Sequence, residues 1–256
     1  MKKYFILFSI FLSVATTVFA KDIKFAQVTD MYFRDHSEAM ESIINDINKT
    51  PDIDFVVFTG NNIGKADITN LKKFLNDARH LNKPYYIVLG NKDVSRSHHL
   101  DKKTYMKTVC KYNRRHPKTT NYTFKKGNFV FIVVDGSKEL IPSANGYYNK
   151  ETIDWVDSQL TKNRMKKVII LQHFPLANKP GNEYIYTYNI LEYMQMLSKH
   201  NNILAVISGH YNKNDEIMHN GVYHITSPRS SNGTYKIIDI DTSGGNAVYT
   251  VLKEVK

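Results

Sequence analysis

Short, continuous apolar runs recur along the chain, and between them apolar residues return at helical spacing. Ile23–Val28, residues 54–58 and residues 84–89 have the length and the β-branched or aromatic content of buried strands. Between the first two, residues 37–48 carry Met40, Ile43, Ile44 and Ile47 on one helical face. Between the second pair, Asp67 reads as an N-cap for a helix with Leu71, Phe74, Leu75 and Ala78 on its apolar side. Such alternation predicts βαβ units and a largely parallel sheet, because parallel neighbours need a crossover connection.

The second half is richer in strands. Residues 122–125 and Phe129–Val134, separated by Lys126-Gly127-Asn128, read as a hairpin. A helix over 152–160 offers Ile153, Val156 and Leu160 on one face, and strands at 167–171 and 203–207 bracket a helix over 189–199. Four alternating segments at 216–219, 222–225, 235–240 and 247–252 predict a meander of antiparallel strands. No repeat, low-complexity stretch or linker interrupts residues 21–256. The expected fold class is therefore α/β: a single domain with two facing mixed β-sheets flanked by helices.

Residues 1–20 follow a different pattern. A basic start at Met1-Lys2-Lys3, an apolar stretch from Tyr4 to Ala15 and a small-residue end at Val18-Phe19-Ala20 predict a secretory signal peptide cleaved before Lys21. The protein is then exported, either periplasmic or secreted. A membrane anchor is the alternative, but the run is short for a span of about 20 residues, and no charged stop sequence follows. No later segment is apolar for long enough to cross a bilayer. Cys110 is the sole cysteine, which excludes an internal disulfide. The formal charge of +11 falls to +9 once Lys2 and Lys3 leave with the leader. Those charges are scattered and aromatics occupy core positions, so no nucleic-acid motif emerges.

Five segments fall where predicted strands give way to loops: Thr29-Asp30-Met31-Tyr32, Thr59-Gly60-Asn61-Asn62, Gly90-Asn91-Lys92-Asp93, Gln172-His173-Phe174-Pro175 and Ser208-Gly209-His210-Tyr211-Asn212. Loops at the carboxyl ends of α/β strands converge on a ligand crevice, so these five are expected neighbours in space. Their order and chemistry resemble the calcineurin-like metallophosphoesterase family, whose blocks read D-x-H, G-D, G-N-H-D/E, H-x-P and G-H-x-H. The resemblance covers nearly all of residues 22–252. It implies a four-layer αββα sandwich, phosphatase or phosphodiesterase chemistry, and a two-metal centre at the strand ends.

By that resemblance, Asp30 keeps a ligand of the first metal, while Tyr32 and Asn212 stand where its histidines should be. Asn61 replaces the carboxylate that bridges both metals. Asn91, His173 and His210 match the ligands of the second metal. Lys92 replaces the histidine beside the substrate phosphate, and Asp93 keeps the acidic place behind it. The implied metal positions are thus Asp30, Asn61, Asn91, His173 and His210, and the implied catalytic candidates are Lys92, Asp93 and Tyr32.

Charge argues against the full centre. Two divalent cations roughly 4 Å apart need anionic ligands between and around them. Here Asp30 offers one negative charge, and the Lys92 ammonium can neutralise it directly. A dinuclear centre is not expected, whereas two imidazoles and an amide oxygen leave room for one divalent transition metal, zinc, manganese or iron. Two readings stay open at this point. One is a pseudoenzyme, impaired in or devoid of hydrolysis, in which Lys92 and a protonated His173 or His210 keep a pocket for a phosphorylated small molecule or another anion. The other is a phosphomonoester or phosphodiester hydrolase working with a single metal. Around this core, Arg34, Lys65, Arg96 and Arg229 are candidate rim cations. Asp35-His36 is expected to cap a helix and meet solvent, His98-His99 to be exposed, and Cys110 to lack a histidine partner.

Overall fold

The computed structural model describes residues 22–177, 187–242 and 245–255. The leader expected at 1–20 lies outside them. β1 (Ile23–Val28), β2 (Phe55–Thr59) and β3 (Tyr85–Val88) run parallel and are joined through α1 (Glu38–Lys49) and α2 (Ile68–Ala78). The Ser37 and Asp67 side chains each accept a hydrogen bond from a first-turn N–H and cap these two helices. The expected Asp35-His36 cap is replaced by Ser37. Asp35 pairs instead with Lys73, and His36 faces solvent near Glu41.

After α3 (Lys102–Tyr112), the hairpin of β4 (Tyr122–Lys126) and β5 (Phe129–Val134) turns through Gly127 and Asn128, since Lys126 pairs with Phe129. α4 (Lys150–Lys162), β6 (Val168–Gln172), α5 (Ile190–Leu197) and β7 (Ile203–Ser208) continue the parallel pattern. The tail does not form one meander. β8 (Asp215–His219) and β9 (Val222–Thr226) make a hairpin whose second strand pairs parallel with β7. β10 (Thr234–Asp241) and β11 (Ala247–Glu254) cross to the other sheet, where β10 lies antiparallel to β1. The sheet orders are β11-β10-β1-β2-β3 and β4-β5-β6-β7-β9-β8. Local alternation identifies each strand, but nothing local says which sheet it joins.

Strand pleating sorts side chains into three apolar layers. Phe25 and Phe55 face inward, stacked at 4.8 Å, and meet Phe131 of the second sheet. Ala26, Val56 and Phe58 face outward, beneath Met40, Leu71, Phe74 and Tyr105 of the first three helices. Val130, Ile132 and Ile170 face outward on the second sheet, beneath Val156, Leu160 and Tyr193 of α4 and α5. This is the expected four-layer arrangement of two mixed sheets flanked by helices. Between the sheets, the fully buried Gln27 donates to Thr59 Oγ1 (3.0 Å) and to the Ser208 carbonyl (2.8 Å), and accepts from Ser227 Oγ (2.7 Å). That amide ties the carboxyl ends of β2 and β7 to β1, directly behind the five loops.

Candidate functional site

The five loops meet at the carboxyl ends of β1, β2, β3, β6 and β7. Asp30, Tyr32, Asn61, His210 and Asn212 all adopt left-handed backbone, with φ between 48° and 65°. Such angles are unfavourable for residues with a Cβ and collect where the surrounding fold over-determines the chain. Gly60 has φ 94°, and a Cβ there would stand 2.5 Å from His173 Nδ1. Only glycine lets that imidazole close on the loop.

Asp30 is fully buried, and three groups donate to its carboxylate: Thr29 Oγ1 (2.8 Å), Asn61 Nδ2 (2.9 Å) and the His210 backbone N–H (2.8 Å). The expected pairing with Lys92 is absent. Lys92 is exposed, has no carboxylate partner among the described residues, and uses its backbone N–H to donate to Asn61 Oδ1 (2.9 Å). The Asn61 amide is thus held at both ends, its N–H toward Asp30 and its oxygen toward the Lys92 backbone. Tyr32 fills the adjoining space with its hydroxyl 3.5 Å from Asn61 Nδ2. Burial and the nearby Asp30 charge push the phenol up to about 12. The Arg229 guanidinium lies 5.2 Å from the Tyr32 ring, a cation–π contact that covers this side.

His173 is fully buried, and its Nδ1 lies 2.8 Å from the Thr59 carbonyl. A carbonyl only accepts, so Nδ1 carries the hydrogen and Nε2 keeps its lone pair. Nε2 is buried and without a hydrogen-bond partner, as is Asn91 Oδ1. His210 stands beside His173, with ring centroids 5.0 Å apart. Burial lowers the affinity of His173 for a proton. For His210, burial, His173 and the Lys92 charge lower the pKa to about 3, against the pull of Asp30. The expected protonated imidazoles are therefore replaced by neutral ones at ordinary pH. On Asn212, Nδ2 donates to the His210 carbonyl (2.8 Å), while Oδ1 is buried without a partner.

Asp93 also departs from its expected role. Its carboxylate is wholly enclosed and accepts from the Gly90 N–H (2.8 Å), the Ile63 N–H (3.0 Å) and Asn62 Nδ2 (3.2 Å), and burial pushes it up to about 7. With no surface left to touch a substrate, it fastens the β2 and β3 loops together. Thr29, Thr59 and Asn62, which do much of the positioning, carried no recognisable signal in the sequence. Thr29 acts through its hydroxyl, Asn62 through its side-chain amide, and Thr59 through its hydroxyl and its carbonyl. A cavity of about 290 Å³ opens beside the site, lined by Lys65, Asn91, Lys92, Ser95 and His98 together with Pro142 to Ala144. Of the other rim candidates, Arg96 is paired with Glu139 (2.8 Å). Cys110 contacts the His116 and Pro117 carbonyls, and burial pushes its thiol up, which does not favour a nucleophile.

No cluster of three or more His, Cys, Asp or Glu side chains suited to a metal occurs among the described residues. Two imidazoles and the Asn91 amide oxygen remain, and the buried, unpartnered lone pairs of His173 Nε2 and Asn91 Oδ1 suit one cation with neutral ligands.

Comparison with known proteins agrees with this frame. A family profile described as calcineurin-like phosphoesterase matches residues 23–213. A probable glycerophosphodiester phosphodiesterase GpdQ of Arcobacter nitrofigilis is 22% identical over 200 residues, 77% of this chain and 70% of that protein. The fold is shared with a dimetal phosphatase from Danio rerio at TM-score 0.65 and 15% identity, covering 91% of this chain and 99% of the other. It is shared also with GAP50, described as the anchor in the inner membrane complex of Plasmodium, at TM-score 0.59 and 17% identity over 92% and 89% of the two chains. With its layered sheets, its five loops in order and a family profile spanning most of its length, the chain belongs to the calcineurin-like phosphoesterase family.

Proposed function

We propose that the protein holds one divalent transition metal on Asn91, His173 and His210 and binds a phosphorylated ligand beside it, with hydrolysis weakened or lost relative to a two-metal centre. Members of this family bind divalent metals and act on phosphorylated substrates. The observation that carries the reading is the pair of buried lone pairs without partners, His173 Nε2 and Asn91 Oδ1. An unpartnered buried acceptor costs on the order of 1–3 kcal/mol. A cation relieves both atoms, whereas a bare anion relieves neither.

When bound, the metal supplies Lewis acidity toward a phosphoryl oxygen. The chain's own groups orient and charge the site. The Thr59 carbonyl fixes the His173 ring with Nε2 available. The Lys92 ammonium adds positive charge at the mouth, where a phosphate oxygen would lie. Asp30, already accepting three hydrogen bonds, anchors the His210 loop. At the former bridging position, the Asn61 N–H faces Asp30, so a second cation there would meet hydrogens in place of a bridging carboxylate.

A second reading keeps the crevice metal-free, as an anion pocket. It is favoured by Lys65 and Lys92, which line the cavity without carboxylate partners among the described residues. We also read the protein as exported after loss of residues 1–20, on the basic, apolar and small-residue segments of that stretch. Among the described residues no helix is long and apolar enough to cross a membrane. N-terminal sequencing should find Lys21 first.

The deciding experiment is metal analysis of protein purified without chelator and then loaded with zinc or manganese. We expect about one equivalent, lost in Asn91→Ala and His210→Ala variants that keep their circular dichroism. Phosphate binding should require the loaded form. Phosphate binding by metal-free protein, with no uptake of either ion, would overturn the metal site in favour of the anion pocket.

A further inference from the structure

Exposed apolar side chains are unevenly spread. Of the nine large ones among the described residues, five lie in two segments: Leu140, Ile141 and Tyr147 in the loop before α4, and Tyr188 and Leu191 at the start of α5. Ile141 is 75% exposed and Leu191 83%. The segments are joined, so they form one surface. Gly146 bridges Thr187, the Tyr188 N–H donates to the Gly146 carbonyl (2.9 Å), and the Tyr188 hydroxyl lies 3.0 Å from Ser143 Oγ. Clustered apolar exposure of this kind marks an interaction surface, whereas single exposed residues do not.

The charge beside it is positive. Lys138 places its ammonium 5.0 Å from the Tyr188 ring centroid. Lys65 and Lys92 line the same cavity as Pro142 to Ala144 of that loop. None of the three lysines pairs with a carboxylate among the described residues. Glu139, the acidic residue next to the tip, is already neutralised, since Arg96 (2.8 Å) and the Lys102 N–H (2.7 Å) hold its two oxygens. The surface therefore presents an apolar tip bordered by uncompensated cations. That pairing suits a lipid interface bearing anionic headgroups, where apolar residues enter the acyl boundary and lysines stay with phosphates.

We infer that the loop carrying Leu140 and Ile141, with Tyr188 and Leu191, docks the protein onto an anionic phospholipid surface and brings the mouth of the crevice against it. Because Pro142, Ser143 and Ala144 continue directly from the tip into the cavity wall, a phosphorylated headgroup at the surface lies next to Lys92 and Asn91. Docking rests on the rim alone and is independent of whether a metal binds.

The test is sedimentation of the purified protein with vesicles of phosphatidylcholine, alone or mixed with phosphatidylglycerol. Binding to the mixed vesicles is expected, with weak binding to the neutral ones. The Leu140→Asp/Ile141→Asp double variant should bind at least several-fold less. Lys65→Glu/Lys138→Glu should weaken binding at least about thirtyfold, as each surface lysine near such lipid contributes about 1 kcal/mol. Both variants should keep the metal content of the parent, which separates failure of docking from failure of the metal site. In Ile141→Trp, fluorescence should shift to the blue on mixed vesicles.

Unchanged binding in the apolar double variant would overturn the inference, by assigning binding to scattered charge or to residues 1–20. An unshifted Ile141→Trp signal with vesicles bound would overturn it as well. Absence of vesicle binding, together with a dimer that the apolar double variant dissolves, would overturn it in favour of a second copy as the occupant.

Discussion

The loops after β1 and β2 and the loops after β3 and β6 meet in one crevice, yet they treat their polar atoms in opposite ways. Around Asp30, the side chains satisfy one another: a threonine hydroxyl, an asparagine amide and a backbone N–H converge on a single carboxylate. Tyr32 and Arg229 close over the space beside it. Around His173, one ring nitrogen is fixed on a carbonyl while the other, with Asn91 Oδ1, is left without a partner. The first region is self-sufficient through the amide of Asn61, whereas the second keeps buried acceptors without hydrogen-bond partners. Two regions of one crevice can therefore differ in what they need, because the amide of Asn61 presents an N–H to Asp30 where a carboxylate would present another acceptor.

Three changes test that contrast, beginning with the largest. Asn61→Asp should set a second carboxylate against Asp30 Oδ1, where an N–H now donates at 2.9 Å. Losing a charge-assisted hydrogen bond and gaining like-charge repulsion should destabilise the metal-free protein by about 3 kcal/mol. Urea denaturation in chelator should show this loss, and added zinc or manganese should recover it. A variant as stable as the parent in chelator would mean that Asn61 does not replace a cation.

The second change uses acid to separate scaffold from site. His224 lines a cavity of about 180 Å³ with Met194 and Leu197 of α5, and burial lowers its pKa to about 4. Between that value and the ordinary imidazole range, the unfolded chain binds the extra proton and the folded protein does not. The stabilising contribution is whole above the unfolded pKa and drains away as pH falls toward the folded one. From pH 6.5 to 5 the loss should be about 2 kcal/mol. His224→Gln should flatten the denaturation slope by that amount over that window without altering metal content. A parallel slope in the variant would reject the assignment.

The smallest effect is expected in the self-sufficient region. Tyr32→Phe removes a hydroxyl whose contact with Asn61 is long, at 3.5 Å. Stability should change by less than about 1 kcal/mol, and metal stoichiometry should not change. Loss of metal in this variant would make Tyr32 part of the donor set and erase the contrast between the two regions.

Much of the fold is legible along the chain because its elements are locally coded. Ser37 and Asp67 precede helices whose apolar residues recur at the correct period, and both cap as their type requires. α3 is the exception: Asp101 caps it, but its buried positions are Tyr105, Met106, Thr108 and Val109, a mixed and weakly periodic face. The tail strands are equally clear as strands, yet β9 joins β7 while β10 joins β1. At the site, His173 and His210 lie together, their ring centroids 5.0 Å apart, and Asn91 lies on the β3 loop with its Oδ1 buried. Asp93 does not reach the crevice, because the enclosure that takes both its oxygens is built from the β2 loop.

The sequence by itself determined the strand-and-helix order, the five loops at strand ends and the residue types that stand in them, Asn61, Tyr32 and Asn212 included. These are properties of residue type and local spacing. Only the tertiary structure decided the state of each lone pair. Asp30 is saturated by an N–H that lies 180 residues away in the chain, and His173 is oriented by a carbonyl 114 residues away. Whether a polar atom is satisfied depends on what the fold brings to it across the two sheets, and residue type alone does not carry that information.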